Sequence, residues 1–280
     1  MIRLDDKTLR QLQMIQLEML IEVDRICRKC NIKYNIIAGT LLGAIRHGGF
    51  IPWDDDADVA LLRPEYEKFR EAVKTELDTT RFYFQDHITT EGYRWGYGKL
   101  RRKGTVFLRE NQEHMPYEQG VFIDIFPLDG VPDNYLLRRI HNFKCTCIRK
   151  ALWSAVGQIS EKNTAKRLIY KLLNKIPVKL IFSLYHRLIA SSNKKDTKMV
   201  RILLFPTPNK QYGYYKKWYE NSIDTKFESH IFSGIKQYDE YLSFKFGDYM
   251  TPPPENMRKV HPVTDIKLIE SDAINGHQSL

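Results

Sequence analysis

The chain has 280 residues, of which 42% are apolar and 28% charged, and it carries a formal net charge of +10. That length suits one large domain or a domain with a substantial insertion, and the composition excludes a disordered or low-complexity protein. No stretch reaches the ~18 uninterrupted apolar residues of a membrane span, and the polar start after Met1 has no signal-peptide core, so a cytoplasmic protein is expected.

Leu12, Ile15, Met19, Val23, Ile26 and Cys30 recur at steps of three and four, which predicts a long amphipathic N-terminal helix. Cys27 and Cys30, with Cys145 and Cys147, could in outline form a four-thiolate zinc site. Cys27 and Cys30 lie inside the helical pattern, however, where cysteine behaves as a small hydrophobe, so zinc is not favoured. Disulfides are not expected in a cytoplasmic chain. Residues 34–38 read as a short strand running into a Gly39-Thr40 turn, and residues 40–47 as a helix ending at Gly48-Gly49.

Next comes Ile51-Pro52-Trp53-Asp54-Asp55-Asp56-Ala57-Asp58-Val59, with four carboxylates in five residues. Such charges repel one another and suit a divalent cation better than a packed strand. In an extended segment over 56–60, Asp56 and Asp58 share one face while Ala57 and Val59 point to the core. Asp-x-Asp beside a Gly-rich turn into a helix can hold Mg²⁺ and a phosphate together.

Pro64 opens a further helix to about residue 77, and strands are expected at 82–85, 93–101 and 105–109. Residues 121–130 form another strand whose one interior carboxylate is Asp124. Phe122 and Phe126 share its face, so an ionised Asp124 there needs a cation, which pairs it with the metal expected at Asp56 and Asp58. From about 134 to 193 the pattern is helical and basic. Residues 134–218 hold 19 Lys and Arg against Glu161 and Asp196, an excess suited to an anionic membrane surface, a phosphorylated substrate or nucleic acid. Residues 239–246 predict a helix, followed by Gly247-Asp248-Tyr249-Met250 and a Pro252-Pro253-Pro254 strap leading to His261.

Three aspartates around one or two Mg²⁺ (or Mn²⁺) fit phosphoryl chemistry, which is mostly positioning and charge neutralisation. Backbone N–H groups near Gly39 and Thr40 at a helix N-terminus suit phosphate oxygens. Asp124 is placed to ligate metal and accept a proton from an attacking hydroxyl. Lys99 or Arg101 would suit a diphosphate, while Arg102 and Lys103 read as a solvated turn.

The run from Gly39 to Val59 resembles the signature of the LicD family, the phosphorylcholine transferases that decorate bacterial surface glycans. Tyr97-Gly98-Lys99-Leu100-Arg101, the run from Gly120 to Asp129, and Gly247 to Met250 extend the likeness over residues 10 to 262. One departure is Gly48, where lysine is common in that family. The resemblance implies an α+β nucleotidyltransferase-like fold, a mixed sheet flanked by helices with a basic helical insertion. The expected division is a catalytic core over 1–133, the insertion over 134–218, and a C-terminal segment over 219–280 packing back on the core.

By that resemblance Gly39 and Thr40 take the turn, Asp56 and Asp58 the metal pair, and Asp124 the third carboxylate. Asp54 and Asp55 support the loop, with Asp54 the better functional candidate. The implied reaction transfers phosphocholine from CDP-choline to a hydroxyl of teichoic acid, lipopolysaccharide or a capsule precursor, releasing CMP. Ribitol phosphate or glycerol phosphate transfer, and a true nucleotidyltransferase releasing pyrophosphate, are the alternatives. Trp53, Trp95, Tyr97 and Tyr249 are candidate walls for the quaternary ammonium. A lipid-linked acceptor on the inner face of the plasma membrane would give the basic insertion an anionic surface to dock on. Nucleic acid is not favoured.

Overall fold

The computed structural model describes residue 2 and residues 4–258 and 260–269. Helix α1 (Asp6–Lys29) is capped by Asp5, whose side chain accepts from the Thr8 N–H. Leu12, Ile15, Met19, Val23 and Ile26 are all fully buried, as their spacing requires. Cys30 is the exception: it is the exposed C-cap residue, beyond the apolar stripe, whereas Cys27 lies in the core.

The chain then forms β1 (Asn35–Ile36), α2 (Ala38–His47), β2 (Asp58–Leu62) and α3 (Arg63–Glu76). Next come β3 (Phe82–Gln85), β4 (Gly98–Arg102), β5 (Val106–Arg109) and β6 (Phe122–Val131). Three helices follow, α4 (Tyr135–Ser160), α5 (Thr164–Leu173) and α6 (Val178–Ser192). The remainder is β7 (Met199–Arg201), β8 (Tyr214–Tyr215), α7 (Lys217–Glu220), β9 (Ser222–Phe227), β10 (His230–Ile235), α8 (Tyr238–Phe246) and β11 (Val263–Lys267). This is the expected α+β class, a mixed sheet flanked by helices.

The main sheet runs β3-β4-β6-β2-β1-β10-β9. β2 and β6 are parallel neighbours with Asp58 opposite Asp124, and β4 lies antiparallel on the other side of β6 with Lys99 opposite Asp124. The C-terminal half of β6 continues past β2 to pair with β7. Every residue of β6 is buried, including a second carboxylate, Asp129, besides Asp124, so both need partners inside the protein. Two expectations were too long: β1 is only two residues, and residues 93–97 lie outside β4. Helix α2 begins earlier than expected, so Gly39 and Thr40 belong to its first turn. It ends at Gly48, whose φ of 74° is the left-handed conformation that glycine adopts at little cost.

The insertion has its own apolar core, in which Leu152, Phe182, Tyr185 and Leu203 are buried together. It meets the sheet at fully buried Asp129 of β6, whose two carboxylate oxygens accept from the Arg63 guanidinium of α3 at 2.7 and 2.6 Å. The Asn193 amide at the end of α6 donates to the same carboxylate at 2.6 Å. Among the described residues no helix is long and apolar enough to cross a membrane.

Candidate active site

The carboxylate loop is held from beneath by two buried glutamines of α1. Gln13 donates to the carbonyls of Ile51 and Asp54 at 3.2 and 3.0 Å, and Gln16 to that of Asp55 at 2.8 Å. These bonds replace the regular strand pairing that a run of aspartates would disfavour. Asp56 precedes the strand proper, yet the alternation survives: Asp56 and Asp58 are half-buried while Ala57 and Val59 are fully buried. The backbone N–H of Asp124 donates to the Ala57 carbonyl at 2.9 Å, locking β6 against the loop.

Parallel register thus brings Asp58 beside Asp124 across two neighbouring strands. Burial raises the Asp58 carboxyl well above the usual range, and Asp56, Asp124 and Asp54 raise it further, against some relief from Lys245. Asp54 is raised by burial, then by Asp56 and Asp55. Asp56 is raised by burial, with His261 and Arg109 opposing. Asp58 thus lies in the field of three other carboxylates with too little positive charge to offset them, and such hard oxygen donors fit a Mg²⁺-type ion.

The Thr40 Oγ1 accepts the Asp58 N–H at 2.8 Å, which leaves its own O–H free to donate. It ties the start of α2 to the start of β2. Gly39 is a matter of space: a Cβ there would stand 2.6 Å from Asp54 Oδ2. Ala38 opens the helix at φ 51°, a strained conformation for a residue with a side chain, and its N–H is taken by the Tyr241 hydroxyl at 3.3 Å.

Lys99 and Arg101 are both buried on β4 but differ in their commitments. Lys99 Nζ pairs with Asp124 Oδ1 and sits 3.3 Å from the centroid of the Phe122 ring. Burial pulls its pKa down to about 7, with Asp124 opposing. It is the cation that an aspartate on this apolar face required. Arg101 donates instead to Gln85 Oε1 and to the Gly120 carbonyl, at 2.5 and 2.6 Å. Arg102 pairs with Glu18 at 3.0 Å and Lys103 with the Thr79 carbonyl at 2.5 Å, so both serve the fold.

The four candidate aromatics are not gathered into one cage. Trp95 packs on Trp153 and donates to the Tyr117 hydroxyl, and Tyr97 packs on Phe126. Tyr249 donates its hydroxyl to Asp239, while its carbonyl receives Arg46 at 2.6 Å. Trp53 carries the Arg258 guanidinium over its face, 4.1 Å from the centroid.

His261 emerges as a residue whose place the sequence did not disclose. Its N–H and ring Nδ1 meet the two oxygens of buried Asp55 at 2.9 and 2.8 Å, and Nδ1 lies 3.7 Å from Asp56. One ligand atom from each of Asp55, Asp56 and His261 lies within 4.8 Å of the others. The triple proline before it was the available signal, since such a strap must end somewhere specific. Arg109 of β5 also reaches to 3.9 Å from Asp56.

Residues 31–145 match the family described as LicD/FKTN/FKRP, nucleotidyltransferase domain. The chain is 31% identical over 276 residues to the lipopolysaccharide cholinephosphotransferase LicD of Haemophilus influenzae, covering 94% of this chain and 98% of that protein. Shorter likenesses reach uncharacterised proteins of Rickettsia typhi, 44% over 50 residues, and Rickettsia prowazekii, 48% over 44 residues. Each of these spans less than a fifth of either partner.

Proposed function

The chain belongs to the LicD family and is an enzyme of the transferase class, and we propose that it moves phosphocholine from CDP-choline to a hydroxyl of a cell-surface glycan, releasing CMP. The observation that carries this reading is the register pairing of Asp58 with Asp124 beside Asp54 and Asp56, at the N-terminus of α2. The name of the Haemophilus relative supports phosphocholine as the transferred group and lipopolysaccharide as the class of acceptor.

Asp56, Asp58 and Asp124 would hold the metal, which neutralises the donor diphosphate when bound. The N–H groups of Gly39 and Thr40 lie in the first turn of α2, where phosphate oxygens are favoured. The acceptor oxygen then bonds to the distal phosphorus as the bridging P–O bond breaks, its electron pair leaving with CMP. The hydroxyl proton passes to Asp124, which Lys99 holds in place. His261 keeps Asp55 fixed so that Asp54 and Asp56 are presented from a rigid loop.

A lipid-linked acceptor on the inner leaflet accounts for the insertion's surface. Leu136, Phe143, Leu168 and Leu172 are all more than half exposed on helices rich in lysine and arginine. Flotation with anionic liposomes at low salt, weakened at high salt, is expected; absence of binding in both removes the membrane docking.

The deciding experiment incubates the purified protein and Mg²⁺ with CDP-choline, CDP-ribitol and CDP-glycerol singly. CMP release, with phosphocholine recovered on lipopolysaccharide, is expected from CDP-choline. A response confined to another CDP-alcohol replaces the donor, and pyrophosphate released from CTP replaces the reaction class.

A further inference from the structure

A cavity of about 400 Å³ opens beside Lys99, the partner of Asp124, and is roofed by the insertion. Its cations come from two sources: Lys99, Arg101 and Arg109 from β4 and β5, and Arg149 and Lys150 from α4. No carboxylate lines it among the described residues. Lys99, Arg101 and Arg109 stand 3.3, 5.1 and 4.9 Å from the centroid of one ring, that of Phe122. Three positive groups around one aromatic ring repel one another, and only the Lys99 pair with Asp124 is closer than the 3.9 Å contact of Arg109 with Asp56. Arg109 Nε and Nη2 are buried and make no hydrogen bond, its nearest carboxylate oxygen being 3.9 Å away. Arg149 and Lys150 form no ion pair among the described residues, and burial lowers the Arg149 pKa.

Guanidinium groups with N–H donors to spare, in a cleft of one sign, recognise phosphate or carboxylate oxygens. The rest of the wall is aromatic, with Trp95, Trp153 and Tyr170 offering flat faces of the kind that pack on sugar rings. A quaternary ammonium is repelled by such a lining, so the cavity is unsuited to the choline end of the donor. Gly39, Thr40 and the carboxylates Asp54, Asp56, Asp58 and Asp124 do not line it, so the donor phosphates held by those groups would lie outside the cavity. Lys99 lines the cavity and pairs with Asp124, so the cavity meets the carboxylates at Lys99, and a hydroxyl presented there would arrive from the insertion's side.

We infer that this cavity receives the acceptor, and that the acceptor is a sugar bearing a phosphate or carboxylate group close to the accepting hydroxyl. This rests on the assignment of Asp124 as the group facing the acceptor. The basic insertion then has a substrate role of its own: Arg149, Lys150 and Trp153 complete the site from above.

The test uses the full chain and titrates tryptophan fluorescence with glucose 6-phosphate, glucuronate, glucose and inorganic phosphate. Either or both anionic sugars are expected to bind at least tenfold more tightly than glucose or inorganic phosphate, and the comparison between the two sugars distinguishes phosphate from carboxylate. The double variant R149A/K150A is expected to weaken that binding at least tenfold while the affinity for CMP stays within twofold. The exposed single change Lys150→Glu, which leaves the core untouched, is expected to weaken it in the same sense. Equal affinity for glucose, displacement of the anionic sugar by CMP, or no effect of either variant overturns the inference. If CDP-choline yields no CMP while the anionic sugars still bind, the donor assignment fails and the cavity's role stands.

Discussion

Replacing Asp58 with asparagine is expected to stabilise the protein without metal while abolishing its activity. Asp56 and Asp58 are two residues apart in an extended segment, ~6.6 Å along the chain. At an effective dielectric of ~20 that separation costs ~2.5 kcal/mol, and half-exposure reduces this to ~1 kcal/mol. Asp54 and Asp124 add to the repulsion. The Asp58 carboxylate makes no hydrogen bond among the described residues, and its backbone N–H bond to Thr40 survives the change. A gain of ~1–2 kcal/mol raises the unfolding midpoint by ~2–8 °C. Added Mg²⁺ reverses the order, since an ion at 100 times its Kd stabilises the wild type by ~2.7 kcal/mol and the variant far less. Thermal unfolding in EDTA and in Mg²⁺, with CMP release measured alongside, reads all three effects. A lower midpoint for D58N in EDTA, or an equal Mg²⁺ shift in both proteins, would refute the reasoning.

Gly39→Ala is expected to keep the protein folded, because alanine favours a helix, but to displace Asp54 and cut CMP release more than tenfold; unchanged turnover would show that Asp54 has no part in the site. Asp129→Ala strands the buried Arg63 charge and is expected to cost ~3–5 kcal/mol in urea unfolding, and a loss below ~1 kcal/mol would contradict the pairing it forms. Burial, helped by Arg201, depresses His141 to about 4, so the native ring stays neutral while the unfolded one takes up a proton below about 6.5. Its contribution is therefore fully present above pH 6.5 and is lost as pH falls towards 4, by ~2 kcal/mol at pH 5. His141→Gln should flatten the fall in urea midpoint between pH 7 and 5 by that amount; an unchanged slope would mean that the ring is already charged in the native state.

The sequence by itself determined the parts governed by local periodicity and by local charge. The stripe of α1, the start of α3 at Pro64, the strand carrying Asp124 and the helices of the insertion each follow from neighbours within one or two turns. The carboxylate run raised the expectation of a cation because four like charges in five residues repel one another. Only the tertiary structure decided which charges meet. Asp58 lies opposite Asp124 because two strands separated by some sixty residues pair in parallel, a register that no local pattern encodes. Lys99 turned to Asp124 and Arg101 to Gln85 because the alternation of β4 does not say what each face will touch. His261 reached Asp55 across a separation of 206 residues, at the end of a strap whose direction proline stiffness alone does not set. The cavity beneath α4 is the furthest case: its cations come from β4, β5 and α4, and their common sign became a site only when the insertion folded over the sheet.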